Sequence, residues 1–167
     1  PKWLALRRSN GVVSGYYSDD GHAWTLLGSR SLVTTGPVCA GLSFSSNNST
    51  TAQATFDSLS LSSLAPAPWQ VADVGSLNAG NIDEFTADSL LIRGGGNDIW
   101  DKADNFRYVY QPLPADGRIV VRVASQGSSD AWAKSGVMIR SCLDSNSRNM
   151  LLAATPGNGL NLQWRYQ

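Results

Sequence analysis

Histidine, glutamate and cysteine are scarce in this chain, with one, one and two among 167 residues. The histidine, His22, stands in Asp19-Asp20-Gly21-His22, a surface-turn sequence. A Ser/His/Asp site needs its imidazole held in a cleft by a carboxylate, and a lone histidine makes no zinc site with distant cysteines. Glu84 has only Asp83 beside it, and neighbours in a strand point to opposite faces. The paired carboxylates of glycoside hydrolysis are therefore missing, and the chain is expected not to be an enzyme. Charge is sparse and balanced, 13 basic against 13 acidic residues, which argues against a nucleic-acid footprint or electrostatic membrane attachment. No apolar run approaches the ~20 residues of a spanning helix and no signal-peptide pattern is visible, so no membrane insertion is expected. The start at Pro1 reads as a processed product or a piece of a longer chain.

Ser, Thr, Asn and Gly are abundant instead, a composition that suits an extracellular, secreted or surface module. Asn47 and Asn48 both lie in N-x-[ST] sequons, which matter only in a source that glycosylates. Cys39 and Cys142 are too far apart in sequence for a metal-type pair. Either they form one disulfide, or they are two buried thiols.

The chain is punctuated at Ser62-Ser63-Leu64-Ala65-Pro66-Ala67-Pro68-Trp69, where two prolines remove two backbone donors. Before this seam, strands are expected at 3–8, 12–18 and 23–27, with an Asn10-Gly11 hairpin turn. Further strands follow at 38–44 and 54–61, separated by a polar loop over 45–51. Beyond the seam, strands are expected at 69–75, 90–93, 106–110, 118–123, 133–140, 149–154 and 160–166. Gly94-Gly95-Gly96 reads as a turn or bulge. Turns every 8–12 residues and no helical periodicity make the fold all-β, the pattern of a sandwich.

Two sets of motifs then carry a resemblance. Gly96-Asn97-Asp98-Ile99-Trp100, Asp104-Asn105-Phe106-Arg107-Tyr108-Val109-Tyr110, the run from Asp130 to Arg140 and Gln163-Trp164-Arg165 resemble the N-terminal half of a concanavalin A-like lectin/glucanase sandwich. Trp3-Leu4-Ala5-Leu6-Arg7-Arg8, the run from Gly15 to Trp24, Gly41-Leu42-Ser43-Phe44 and Ala54-Thr55-Phe56-Asp57 resemble its C-terminal half. The branch resembled is an accessory module of secreted bacterial proteins, often found beside glycoside hydrolases. The resemblance implies an antiparallel two-sheet, jelly-roll-like sandwich with its halves in reversed order. Residues 1–63 would be the C-terminal half, 64–69 the linker and 70–167 the N-terminal half of the next or the same repeat. The halves are then either permuted within one domain or split between neighbouring repeats, and a disulfide between Cys39 and Cys142 would staple them.

Two functional expectations follow. The first is a non-catalytic extracellular repeat, structural or adhesive, whose partners are neighbouring copies in a fibre or scaffold. The second is a carbohydrate-binding module, which the resemblance suggests and six tryptophans permit. Its platform candidates are Tyr16, Trp24, Trp100 and Trp132, within a wider set that includes Trp69, Trp164 and Tyr108. A sandwich interior consumes such side chains, so two or fewer exposed are expected. No cofactor is expected, with one exception to consider: Asp98, Asp101 and Asp104 form an oxygen-rich run that could hold a structural calcium. Against it stands the reading that these carboxylates cap turns and pair with Arg107 or Lys102.

Overall fold

The computed structural model describes residues 2–32, 36–62, 69–75, 82–85 and 89–166. Within them the chain makes fourteen strands and no helix. The segment before the seam supplies β1 (Lys2–Ser9), β2 (Val12–Ser18), β3 (Thr25–Ser31), β4 (Val38–Ser45) and β5 (Asn48–Ser62). After it come β6 (Gln70–Val74), β7 (Ile82–Phe85), β8 (Ser89–Gly96), β9 (Asp98–Trp100) and β10 (Ala103–Leu113). The chain ends with β11 (Gly117–Gln126), β12 (Lys134–Arg140), β13 (Asn149–Thr155) and β14 (Gly159–Arg165). One sheet runs β3-β2-β1-β11-β5-β8-β7, the other β14-β13-β12-β4-β10-β6, with β9 paired to β10. All the pairings are antiparallel. The expected two-sheet sandwich is what the chain adopts.

Strands from the two sides of the seam are interleaved. β1 lies between β2 and β11, β5 between β11 and β8, and β4 between β12 and β10. Ladder groups that half a sandwich would expose are thus satisfied inside one chain. Of the seam itself, residues 63–68 lie outside the described residues.

Period-two alternation builds the core. Leu4, Leu6, Phe56 and Ile119 of the first sheet meet Leu42, Phe44, Val137 and Leu152 of the second. The second sheet is also buried on its other face, where Ile99, Phe106, Tyr108, Met138 and Leu151 form a smaller cluster. Every residue of β12 is buried as a result. The candidate site described below lies over this second cluster, whose Ile99 it shares with strand β9.

Local chemistry explains the turns. Asn10 and Gly11 both have positive φ, 49° and 72°, so the first hairpin closes with the two-residue turn that matches strand twist. Gly94 to Gly96 makes no turn; it lies within β8, opposite the irregularity between Asn48 and Ala52 of β5, so of the two expectations it is the bulge that is found here. Gly96 has φ 147°, and a Cβ there would meet the Asn105 carbonyl oxygen at 2.1 Å, so only glycine lets β8 pass so close to β10. The expected polar loop at 45–51 is shorter than its composition suggests. β5 starts at Asn48, and the register slips between Asn48 and Ala52. Strands β7 and β9 were not anticipated, each being four residues or fewer. The side chains of Asp83 and Glu84 lie outside the described residues.

The turn at Asp19 to His22 matches its sequence, with His22 exposed. Asp20 accepts backbone N–H bonds from Ala23 (2.9 Å) and His22 (2.8 Å) and the Ser18 hydroxyl (2.9 Å). These bonds, the Ala23 N–H first, hold its carboxyl at about 2 against an ordinary 3.8. A depressed carboxyl contributes stability above its unfolded value and loses it as pH falls through the folded one. Urea melts taken between pH 3.8 and about 2 should therefore show Asp20→Asn with a flatter acid limb than the native chain. Parallel limbs would show that the carboxylate charge contributes nothing.

Candidate functional site

Three-residue β9 forms a hairpin with β10 in which Trp100 faces Ala103 and Asp98 faces Asn105. Alternation buries Ile99 in the second cluster and turns Asp98 and Trp100 outward. Asp101, at φ 52°, makes the turn. The hairpin is pinned from β14: Gln163 Nε2 donates to the Ile99 carbonyl, and Arg165 donates to those of Asp101 (2.8 Å) and Trp100 (3.4 Å). Trp100, 60% exposed, is therefore fixed at its backbone while its indole stands in solvent.

A second tryptophan comes from the segment between β11 and β12. Asp130 Oδ1 accepts from the Trp132 N–H at 2.7 Å and from Asn47 Nδ2 at 3.0 Å. The Ala131 carbonyl accepts from Gly157 N (3.0 Å) and Asn158 Nδ2 (2.9 Å), and Ser129 Oγ donates to the Ser46 carbonyl at 2.7 Å. Trp132, 46% exposed, is held on this braced turn.

Between the two indoles lies an open cleft of about 240 Å³, also lined by Asn47, Asp98, Lys134, Asn161 and Gln163. Lys134 is almost wholly buried and forms an ion pair with Asp98. Three amide oxygens, Asn47 Oδ1, Asn161 Oδ1 and Gln163 Oε1, are buried and accept no hydrogen bond. Two of these amides cannot be turned round. Asn47 gives its NH2 to the Asp130 carboxylate and Gln163 to the Ile99 carbonyl, so the free end of each is the oxygen. These oxygens are closed off from solvent, so what the cleft itself presents is the two indoles and the polar side chains that line it.

A second cleft of about 190 Å³ adjoins the first, sharing Trp100 and Gln163 and adding Asp101, Asn149, Trp164 and Arg165. Arg165 is fully engaged with carbonyls and with Asp104, so its role there is structural.

The three aspartates considered for calcium are not brought together. Asp98 is paired with Lys134, Asp101 is exposed at the hairpin turn, and Asp104 is sealed between guanidinium groups. Asp104 accepts from Arg140 (3.2 Å), from Arg165 (2.9 and 2.5 Å) and from Asn149 (3.1 Å). Neither Arg107 nor Lys102 is the partner; Arg107 binds Asp73 at 2.6 Å. Among the described residues no group of three His, Cys, Asp or Glu could hold a metal. Cys39 and Cys142 are both free thiols, and no disulfide joins them; nor are they two buried thiols, since Cys39 is half-buried and Cys142 exposed. Partial burial pushes the Cys39 thiol up.

Of the four aromatic candidates, Trp100 and Trp132 meet at the cleft, whereas Tyr16 and Trp24 do not line it. Trp24 is half-buried beneath Arg118, whose guanidinium lies 4.8 Å from the ring centroid. Tyr108 is fully buried, its hydroxyl near the Cys39 and Met138 carbonyls, and burial raises its phenol well above the ordinary value. Three tryptophans are exposed, Trp100, Trp132 and Trp164, against an expectation of two or fewer. The reason is that the main core is filled by Leu, Ile, Val and Phe. Lys134, Asn47, Asn161 and Gln163 were missed. The signal for Asn161 and Gln163 was the polar alternation Asn161, Gln163, Arg165 against Leu160 and Leu162 along β14; Asn47 and Lys134 carried none. No protein-family model matches the chain, and no curated protein matches it either.

Proposed function

We propose that the protein binds neutral glycans without cleaving them, holding a sugar ring between Trp100 and Trp132. The observation that carries this reading is the cleft: two exposed indoles beside a lining of amide side chains. Apolar sugar faces stack on indoles, while hydroxyls meet the polar side chains beside them. Hydrolysis would need two carboxylates flanking the bond, and Asp98, the one carboxylate lining this cleft among the described residues, is committed to Lys134. The sandwich is compatible with the concanavalin-like, permuted fold that the sequence resembles, and an extracellular module is the setting that suits it.

Affinity electrophoresis through gels containing neutral glucans, xylans, mannans or galactans tests the proposal. The native protein should be retarded in at least one. Trp132→Ala, which removes one of the two exposed indoles of the cleft, should weaken retardation at least tenfold. Free migration of the native chain in every gel, or equal retardation of the variant, would sink it.

One observation favours the adhesive repeat as a second reading. Leu26 and Leu27 on edge strand β3, and Trp164 with Tyr166 at edge strand β14, leave apolar side chains on unpaired edges. Mass rising with concentration in sedimentation, and lost in Leu26→Lys, would support neighbouring copies as partners; a monomer throughout would oppose them.

A further inference from the structure

The cleft between Trp100 and Trp132 does not end at Trp100. The second cleft begins on the same indole and the same Gln163 side chain, and Trp164 forms its far wall. Three indoles therefore bound two successive compartments in the order Trp132, Trp100, Trp164. Each compartment, about 240 and 190 Å³, is smaller than the ~300–1,000 Å³ usual for a small-molecule site, and only together do they reach it.

We infer that the occupant is a run of linked neutral sugars crossing Trp100 from one compartment into the other, rather than a single terminal sugar. This deepens the glycan-binding reading and rests on it. The geometry on both sides of Trp100 suits a chain. Gln163, only 9% exposed, has its Nε2 fixed on Ile99 and belongs to the lining of both compartments. Trp164 is held in place: the Arg30 guanidinium covers one face at 4.1 Å from the ring centroid, and Tyr166 meets it edge-on at 6.4 Å.

Charge decides between neutral and acidic sugars. Lys134 is matched by Asp98 and Arg165 by Asp104, so the two cations that line the compartments already hold carboxylates. The exposed carboxylate of Asp101 remains in the second compartment. A uronate carboxylate would bring like charge to face it.

Calorimetry with ladders of one to six units of glucose, xylose and mannose, and a galacturonate ladder, tests the inference on the native chain. Affinity should climb about tenfold or more between one and three units of a neutral ladder, then level off, with the galacturonates weaker at every length. Trp164→Ala should erase the gain with length while leaving the shortest ligand unchanged, and Trp164→Tyr should restore most of it. A monosaccharide bound as tightly as a hexasaccharide would overturn the chain reading and leave the cleft standing. A length gain that survives Trp164→Ala would overturn the path over Trp100, and tighter binding of galacturonates would overturn neutrality. If no sugar of any length binds, the glycan reading itself fails. Because the ladder is read first on the native chain, a misfolded variant would not remove the test.

Discussion

Asp104→Ala should be among the most destabilising single substitutions in this protein, costing about 3–5 kcal/mol. Asp104 and Arg140 are both wholly shielded from solvent, and Arg165 is nearly so. Burial pushes the Arg140 guanidinium below its ordinary value, and the charge of Asp104 is the largest influence opposing that shift. Removing the carboxylate leaves two guanidinium groups facing one another with no counter-charge and takes from Asn149 one of its acceptors. For a chain of this size such a loss lowers the melting temperature by about 10 °C or more, visible in a far-UV circular dichroism melt. Asp104→Asn keeps the volume and one acceptor but not the charge, so it should fall between Asp104→Ala and the native chain. Asp101→Asn, exposed and on the neighbouring turn, should stay within about 0.5 kcal/mol. The series also separates an ion-pair anchor from a calcium ligand. With the anchor, added calcium leaves all four melts unchanged; with a calcium site, the native melt rises with calcium and the Asp101 and Asp104 variants lose that rise. A neutral result for Asp104→Ala would mean that the two arginines find water or another acceptor on relaxing.

The same substitution joins the fold to the site. Arg165, released from Asp104, also stops bracing the Trp100 and Asp101 carbonyls, so the hairpin that presents Trp100 loosens. A carboxylate that touches no ligand thereby sets how rigidly an indole is offered to one.

This coupling shows where sequence reasoning reached its limit. Nearly every strand was legible, because alternation such as Leu4, Leu6 on β1 and Leu160, Leu162 on β14 declares a buried face, and Asn10-Gly11 declares a turn. The tryptophan pair was half legible: Trp100 and Trp132 were in the candidate set, but Tyr16 and Trp24 stood beside them with equal claim. What separates the two pairs is tertiary. Trp100 is turned outward by a hairpin too short to recognise, and the rest of the cleft is lined by Asn47, Lys134, Asn161 and Gln163, which three different parts of the chain supply. The three aspartates misled for the same reason. Spacing of three suggests a common ligand, yet strand pairing sends Asp98 to Lys134 and Asp104 into a guanidinium pair contributed 36 and 61 residues further along.

The largest effect on binding should come from Trp100→Ala and Trp132→Ala. Truncating an indole at the centre of a contact costs about 2 kcal/mol or more, which is about 30-fold in affinity. Trp100 walls both compartments, whereas Trp132 walls only the first, so Trp100→Ala should be the worse of the two for long chains and the two should be comparable for a single ring. Because both indoles hold the same ring, the double variant should lose less than the sum of the single losses. Stability is the control that gives these numbers meaning. Both indoles are largely solvent-exposed and both hydrogen bonds that brace them are made by the backbone, so the melts should barely move. Trp24→Ala, whose indole lies under Arg118 outside the cleft, should leave binding intact. Calorimetry and a melt on the same four samples decide the matter. Affinity lost at an unchanged melting temperature marks a ligand platform, affinity and stability lost together mark a structural indole, and equal loss in Trp24→Ala would place the binding surface elsewhere on the sandwich.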